Sequence, residues 1–173
     1  MNTRKAMLTD AKGIAKVHVD SWRSTYKNII PEEFLKKLSY EQRTDLWNRN
    51  ITKEGNYVFV VENNEGKIVG FADCGKRESN NVPNSGDLTS IYLLEEYHGK
   101  GVGKQLLKQI FLQFKELSFN KAFVEVLEDN RTRYFYEYYG ANLLQSEQIT
   151  IAGKELNLLT YEWSNLNRVL SKL

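Results

Sequence analysis

A chain of 173 residues, 41% hydrophobic and 12% aromatic, has the length and apolar content for a sizeable core, which excludes an intrinsically disordered protein. Lys plus Arg number 24 against 22 Asp plus Glu, a net charge of +2, so there is no global basic field of the kind a dedicated nucleic-acid binder carries, and any anion binding has to come from local groups. The single cysteine, Cys74, excludes an internal disulfide; no apolar signal region follows the first residues, and the longest apolar run, 57–61, is far short of a membrane span, so we expect a cytoplasmic protein with no membrane partner.

In chain order, residues 3–8 are predicted as a short strand, after which Thr9 or Asp10 caps a helix with Ile14, Val17, Trp22 and Tyr26 among its apolar positions. Pro31 opens a second helix carrying Phe34, Leu35 and Leu38, and a third spans about 40–50 with Leu46 and Trp47. Runs 57–62 and 67–75 are β-rich and separated by Asn63-Asn64-Glu65-Gly66, which predicts an antiparallel hairpin. Within the second run Cys74 reads as a small buried thiol rather than a nucleophile. The polar stretch 76–86, with Asn80, Asn81, Pro83 and Asn84, reads as a loop.

A strand at 87–93 then leads into His98-Gly99-Lys100-Gly101-Val102-Gly103-Lys104, and beyond it Val102, Leu106, Leu107, Ile110, Phe111, Phe114 and Leu117 recur at helical spacing. Residues 121–128 form another strand, 130–139 a short aromatic helix ended by Gly140, and 143–151 with 155–163 a closing hairpin around Ala152-Gly153-Lys154, followed by a polar tail with a few leucines. Helices packed on a mixed, mostly antiparallel sheet make an α+β fold, expected as a single domain over 1–173.

The glycine run reads as an anion grip. Glycines let the backbone approach a ligand, and the following helix aims its unpaired N–H groups at it. A Walker-type P-loop is excluded because His98 and Gln105 stand where glycine and Ser or Thr are needed; the dinucleotide fingerprint is excluded because no glycine follows at 104–106. The pyrophosphate of an acyl-coenzyme A fits the spacing better, and a ligand-free loop entering a helix is the plain alternative.

Three stretches together resemble the GNAT superfamily of acyl-CoA-dependent N-acetyltransferases. Tyr92-Leu93 followed by His98-Gly99-Lys100-Gly101-Val102-Gly103 is similar to its Arg/Gln-x-x-Gly-x-Gly/Ala signature, with His98 in place of Arg or Gln. Asn130-Arg131-Thr132-Arg133-Tyr134-Phe135-Tyr136-Glu137-Tyr138-Tyr139-Gly140-Ala141 is similar to its Asn-x-x-Ala-x-x-Phe-Tyr block, with Arg133 for the alanine. The run from His18 to Tyr26 with Ile29-Ile30-Pro31 looks like the opening of many bacterial members.

The resemblance implies a sheet whose central strands splay into a V-shaped slot for acetyl-CoA, the acyl donor, and no metal. Backbone groups of Ile91, Tyr92 and Leu93 would pair with the pantetheine arm as an added strand does. Those of Gly99, Lys100, Gly101, Val102, Gly103 and Lys104 would bind the pyrophosphate with Lys100 and Lys104 adding charge. His98, shorter than arginine, predicts a looser hold or more reliance on those lysines. Asn130 is expected on the pantetheine arm or as a helix cap. Tyr136 is expected near the sulfur as general acid, a packed aromatic being its bland reading.

For the base we take Asp87, with Glu125 and His18 as alternatives, and for acceptor recognition Arg23 and Tyr26. Glu32 and Glu33 would suit a cationic amine or simply complement a helix dipole. The acceptor is expected to be a primary amine of a small molecule, polyamine or peptide, attacking directly. The competing classes are a non-catalytic acyl-CoA-binding regulatory module of the same fold and a nucleotide-binding domain, the latter disfavoured by the failed spacing. Strands of the closing hairpin could also pair two chains as a homodimer.

Overall fold

Alternating apolar residues, punctuated by glycine and asparagine turns, lay down seven strands in the computed structural model, which describes residues 1–173. They are β1 (Asn2–Lys5), β2 (Tyr57–Glu62), β3 (Ile68–Gly75), β4 (Ser85–Leu93), β5 (Lys121–Leu127), β6 (Asn142–Ile151) and β7 (Lys154–Trp163). One sheet takes them in the order β1-β2-β3-β4-β5-β7-β6, every neighbouring pair antiparallel except β4 with β5. Six helices cover it: α1 (Ala11–Thr25), α2 (Glu32–Lys36), α3 (Tyr40–Thr52), α4 (Val102–Glu116), α5 (Thr132–Tyr138) and α6 (Leu166–Leu170). The mixed, mostly antiparallel α+β architecture expected from the pattern is the one found.

The two faces of the sheet are buried separately. On one, the α4 residues Val102, Leu106, Leu107, Ile110, Phe111 and Phe114 pack with Leu88, Val124, Val126, Leu159, Tyr161 and Trp163. On the other, Ile14, Ala15 and Val17 of α1 and Trp47 of α3 pack on Val58, Val60 and Phe71, while Tyr26, Ile30 and Leu35 pack on Leu127 and Leu156. Burying a side chain of this size contributes roughly 1.5–3 kcal/mol, so these three clusters carry most of the folding free energy.

Two elements depart from the expected pattern. β4 starts at Ser85, not residue 87, because the buried Ser85 hydroxyl donates to the Val82 carbonyl at 2.8 Å and Gly86 lies so close to Phe114 that a Cβ would stand 2.6 Å from the ring. The tail is not irregular. Asn165 Oδ1 accepts from Arg168 N at 3.1 Å, and Leu166 and Val169, three apart, reach the α4-side core as α6.

What the sheet does for function is to come apart at its centre. β4 and β5 pair only from Ser85↔Lys121 to Leu88↔Val124; β4 then runs on to Leu93 and β5 to Leu127 with partners on their outer edges alone. The register against β3 slips at the same place, Leu88 facing Cys74 and Ser90 facing Asp73, so Thr89 is a bulge. A bulge bends its strand and adds twist, turning β4 away from β5 just where the pairing stops.

Two buried titratable groups flank this region. His18 sits among Trp22, Trp47, Phe71 and Tyr92, its Nδ1 accepting from Trp47 Nε1 at 3.0 Å, and burial drops its pKa from 6.5 to about 4, with Arg43 adding to the effect. Asp73, bonded by the Ser90 hydroxyl, is pushed from 3.8 up to about 6, again by burial. Acidification from pH 6.5 to 4 makes the unfolded chain take up the proton His18 refuses, which lowers stability, whereas Asp73 binds its proton better when folded and opposes that loss over about pH 4–6. In Asp73→Asn the opposition is gone, so chemical denaturation at stepped pH should show stability falling more steeply on acidification than in the parent chain. Asp73→Asn,His18→Gln should flatten that limb again.

Candidate active site

The glycine run forms the connection from β4 to α4. Gly99 and Gly101 have φ of 70° and 76°, the left-handed region that glycine enters without strain, and a Cβ at either would meet nothing within 4 Å, so both present open backbone to solvent. Gly101 is the N-cap of α4, which puts the first unpaired amides of that helix on the same side. Lys104 is exposed; the Lys100 ammonium lies 5.6 Å from the centre of the Tyr97 ring, and neither lysine is in an ion pair.

Between loop and splay lies a cleft of about 310 Å³. Ile91, Tyr92, Leu93, His98, Gly99, Gly101, Gly103 and Lys104 line it from the β4–α4 side, and Thr25, Thr132, Phe135 and Tyr139 from the α1 and α5 sides. Eight of the twelve residues picked from the sequence for one ligand thus line one cleft; Lys100, Val102, Asn130 and Tyr136 are not among its lining, and the Val102 side chain is buried in the core. A neighbouring cleft of about 450 Å³ shares Thr25, His98 and Thr132 and adds Asn130. The Leu93 carbonyl is already engaged, accepting from Ser21 Oγ at 2.9 Å and facing His98 Nε2 at 3.3 Å, so His98 folds back on its own strand. Ser21, Thr25 and Thr132 carried no signal in the sequence, since short hydroxyl side chains are common on helices.

Deeper in the splay, three tyrosines from separate elements meet. Tyr26 and Tyr92 share a hydrogen bond of 3.1 Å, and Asn130 Nδ2 donates to Tyr26 at 3.4 Å while its Oδ1 accepts from Thr132 N at 2.9 Å. Asn130 thus closes the turn that leads into α5, whose N-cap is Arg131, and turns its amide N–H toward Tyr26. Tyr136 is buried edge-on against Trp163 at 5.7 Å and close enough to Tyr26 to feel its charge. Burial first, and the neighbouring phenols after it, hold the Tyr92 and Tyr136 pKa values well above the ordinary tyrosine range, while burial raises that of Tyr26 against its hydrogen bonds with Tyr92 and Asn130, so all three stay protonated at neutral pH.

A proton count follows. The two phenols of the Tyr26–Tyr92 pair hold two protons and share one hydrogen bond, so one O–H is left to donate elsewhere whichever way the pair is arranged. Trp22 Nε1, buried and with no hydrogen bond of good geometry, lies beside them, close enough to the Tyr92 hydroxyl to work against the rise of its pKa, its ring 4.7 Å from that of Tyr26. The pocket is rich in donors and short of acceptors, which suits a developing negative charge.

The remaining candidates separate. Asp87 is not brought to the slot: it lies on the paired part of β4 opposite Phe123, and its Oδ2 accepts from Arg77 N and Asn80 Nδ2, both at 2.9 Å, which ties down the 76–84 loop. His18 is held neutral in the aromatic core. Glu125 is the first residue of β5 beyond the last β4 pair, is exposed, lines neither cleft, and meets Arg77 at 2.6 Å. Beside it on β7, Thr160 Oγ1 is buried with no partner. Arg23 spends Nε and Nη2 on the carbonyls of Leu35 at 3.3 Å and Leu38 at 3.0 Å, holding the end of α2, and so sits apart from the phenols. Glu32 and Glu33 are exposed and face Lys36 at 3.3 and 3.7 Å.

Known proteins resemble this chain in sequence and in fold. The model of the acetyltransferase (GNAT) family matches residues 18–141. Over its full 173 residues the chain is 36% identical to an uncharacterized N-acetyltransferase of Bacillus subtilis, YuaI, covering 98% of it. Over 83 residues it is 37% identical to a ribosomal protein bS18-alanine N-acetyltransferase of Haemophilus influenzae, spanning 48% of this chain and 52% of that one. The crystal structure of the PaiA N-acetyltransferase of Thermoplasma acidophilum in complex with coenzyme A superimposes with a TM-score of 0.71 at 21% identity, over 94% of this chain and 98% of that one. With a family model spanning both the first helix and the Asn130–Ala141 block, and a relative matched from end to end, the chain belongs to the acetyltransferase (GNAT) family.

Proposed function

We propose that the chain transfers an acetyl group from acetyl-CoA to a primary amine by direct attack. The observation that carries this reading is the separation of β4 from β5 after Leu88 and Val124, with open glycine backbone at its wide end and a donor-rich phenol cluster in its depth. The residues fit coenzyme A: free α4 amides with Lys100 and Lys104 for the pyrophosphate, and the unpaired inner edge of β4 for the pantetheine amides. When bound, the coenzyme supplies an activated thioester.

Each residue then has a task that its position allows. Glu125, on the free edge of β5, takes the proton from the incoming ammonium, replacing Asp87 in that role, and Arg77 holds its carboxylate in place. The spare phenolic proton of the Tyr26–Tyr92 pair sits where charge develops on the carbonyl oxygen. Tyr136, protonated by virtue of its burial, supplies the proton for the departing sulfur. A catalytic role is favoured over a CoA-binding module by the tyrosine hydroxyls and Glu125, which a module would not need. Pairing of two chains, if it occurs, would use β6, the free edge of the sheet with most of its residues exposed.

Thiol release measured across an amine panel should require both acetyl-CoA and an amine; cofactor binding without amine-dependent release would leave only the module. In that assay Tyr136→Phe should lower kcat roughly 100-fold with little change in KM for acetyl-CoA, and an unchanged kcat would remove Tyr136 from the mechanism. Glu125→Gln should lower kcat roughly 100-fold with little change in KM for acetyl-CoA, whereas Asp87→Asn should lower Tm by loosening the 76–84 loop and keep kcat.

A further inference from the structure

A cavity of about 790 Å³, larger than the slot, lies outside it. It lies between the end of α1, the 26–31 connection, α2 and the β6–β7 turn, and its lining carries four cations, Arg23, Lys27, Lys36 and Lys154, against one carboxylate, Glu32. Glu32 is matched by Lys36 at 3.3 Å; Arg23 lies 5.5 Å from the centre of the Tyr40 ring and near enough to Asp20 to lower its pKa, and none of Arg23, Lys27 and Lys154 is in an ion pair.

Two of the three are held in place by the backbone. Arg23 is fixed through Nε and Nη2 to the carbonyls of Leu35 and Leu38, which leaves Nη1 with free N–H groups; Lys154 Nζ donates to the Ile29 carbonyl at 2.8 Å and keeps its other two protons. Lys27 has no hydrogen-bond or ion-pair partner. Anchored cations with spare donors on the walls of a cavity concentrate anions there and repel cations.

The cavity also adjoins the proposed reaction centre. Its apolar wall, Ile30 and Leu35, packs directly against Tyr26, and Ile30 N donates to the Tyr26 carbonyl at 2.9 Å, so Tyr26 stands between the cavity and the phenol cluster.

We propose that this cavity binds the anionic group, a carboxylate or a phosphate, of a small amine acceptor through Arg23, Lys27 and Lys154, and that it selects against polyamines. That the bound molecule is an acceptor rests on the acyl-transfer reading above; that the cavity is an anion site does not. This is the opposite of the cationic amine expected from Glu32 and Glu33: those two carboxylates share Lys36, and only Glu32 lines the cavity, against its four cations.

A matched series tests this: 3-aminopropyl phosphate, 4-aminobutyrate, propylamine and 1,3-diaminopropane. Binding of each to the protein without acetyl donor is read by calorimetry and by amide NMR shifts at 27, 36 and 154. At least one anionic amine should bind about tenfold or more tightly than propylamine and diaminopropane, its affinity falling with added salt. Comparing the phosphate with the carboxylate tells which anion fits.

Lys27→Glu,Lys154→Glu, or Lys27→Glu alone where the double variant lowers Tm, should abolish the preference while leaving KM for acetyl-CoA unchanged. Diaminopropane bound as tightly as the anionic amines, or a preference that survives the charge reversal, would overturn the proposal. Anionic binding with no acetylation of any tight-binding amine would uphold the site and count against the acyl-transfer reading. Efficient acetylation of diaminopropane in preference to both anions would do the reverse.

Discussion

Everything functional in this molecule depends on one missing set of hydrogen bonds. β4 and β5 are neighbours in the centre of the sheet, where paired strands are the rule, yet their ladder ends at Leu88 and Val124. Past that point each strand has an inner edge with free backbone groups, and inner edges buried without partners are costly. The bulge at Thr89 bends β4 away, and the gap is closed over by side chains from three other elements, Tyr26 of α1, Asn130 before α5 and Tyr136 of α5. The cost of the split is therefore carried by the two cores on either side of the sheet, which hold the strands in place without the ladder.

That arrangement explains why the aromatic residues are so concentrated here. Phenols can be buried with their rings in an apolar core and their hydroxyls facing a polar slot, which neither leucine nor serine can do alone. Burial also raises their pKa, so the hydroxyls remain donors. Arg77 acts on the opposite wall, pairing with Glu125 through its side chain while its amide holds Asp87, so one residue joins the loop 76–84 to both inner strands.

The charged groups are unevenly placed as well. The groove beside Arg77 mixes both signs, Lys53, Lys76 and Arg77 with Glu54 and Asp73, while the cations Arg23, Lys27 and Lys154 collect beyond Tyr26, around a cavity of their own. An overall charge of +2 conceals this division completely, because it is a property of where chain segments from α1, α2 and the β6–β7 turn end up.

The order of most strands and helices, the glycine turn into α4 and the Asn130–Tyr136 block were legible in the sequence because each is a local pattern: period two for strands, three to four for helices, and glycine where φ turns positive. The family could be read from them for the same reason. The sequence alone could not rank Asp87, Glu125 and His18, three ordinary polar residues in strands or a helix, nor show that Arg23 holds the end of α2, nor that Tyr92 uses its side chain as well as its backbone. It also missed α6, whose apolar positions need Trp163 and α4 beside them to count as a face. Those facts depend on residues far apart in the chain, Tyr26 with Tyr92 and Asn130, Arg77 with Glu125, Ile29 with Lys154, and on how deeply each is taken out of water. Local backbone preference is written in neighbouring residues; hydrogen-bond partners, burial and the pKa values that follow from them exist only once the chain has folded and distant segments share a low-dielectric interior.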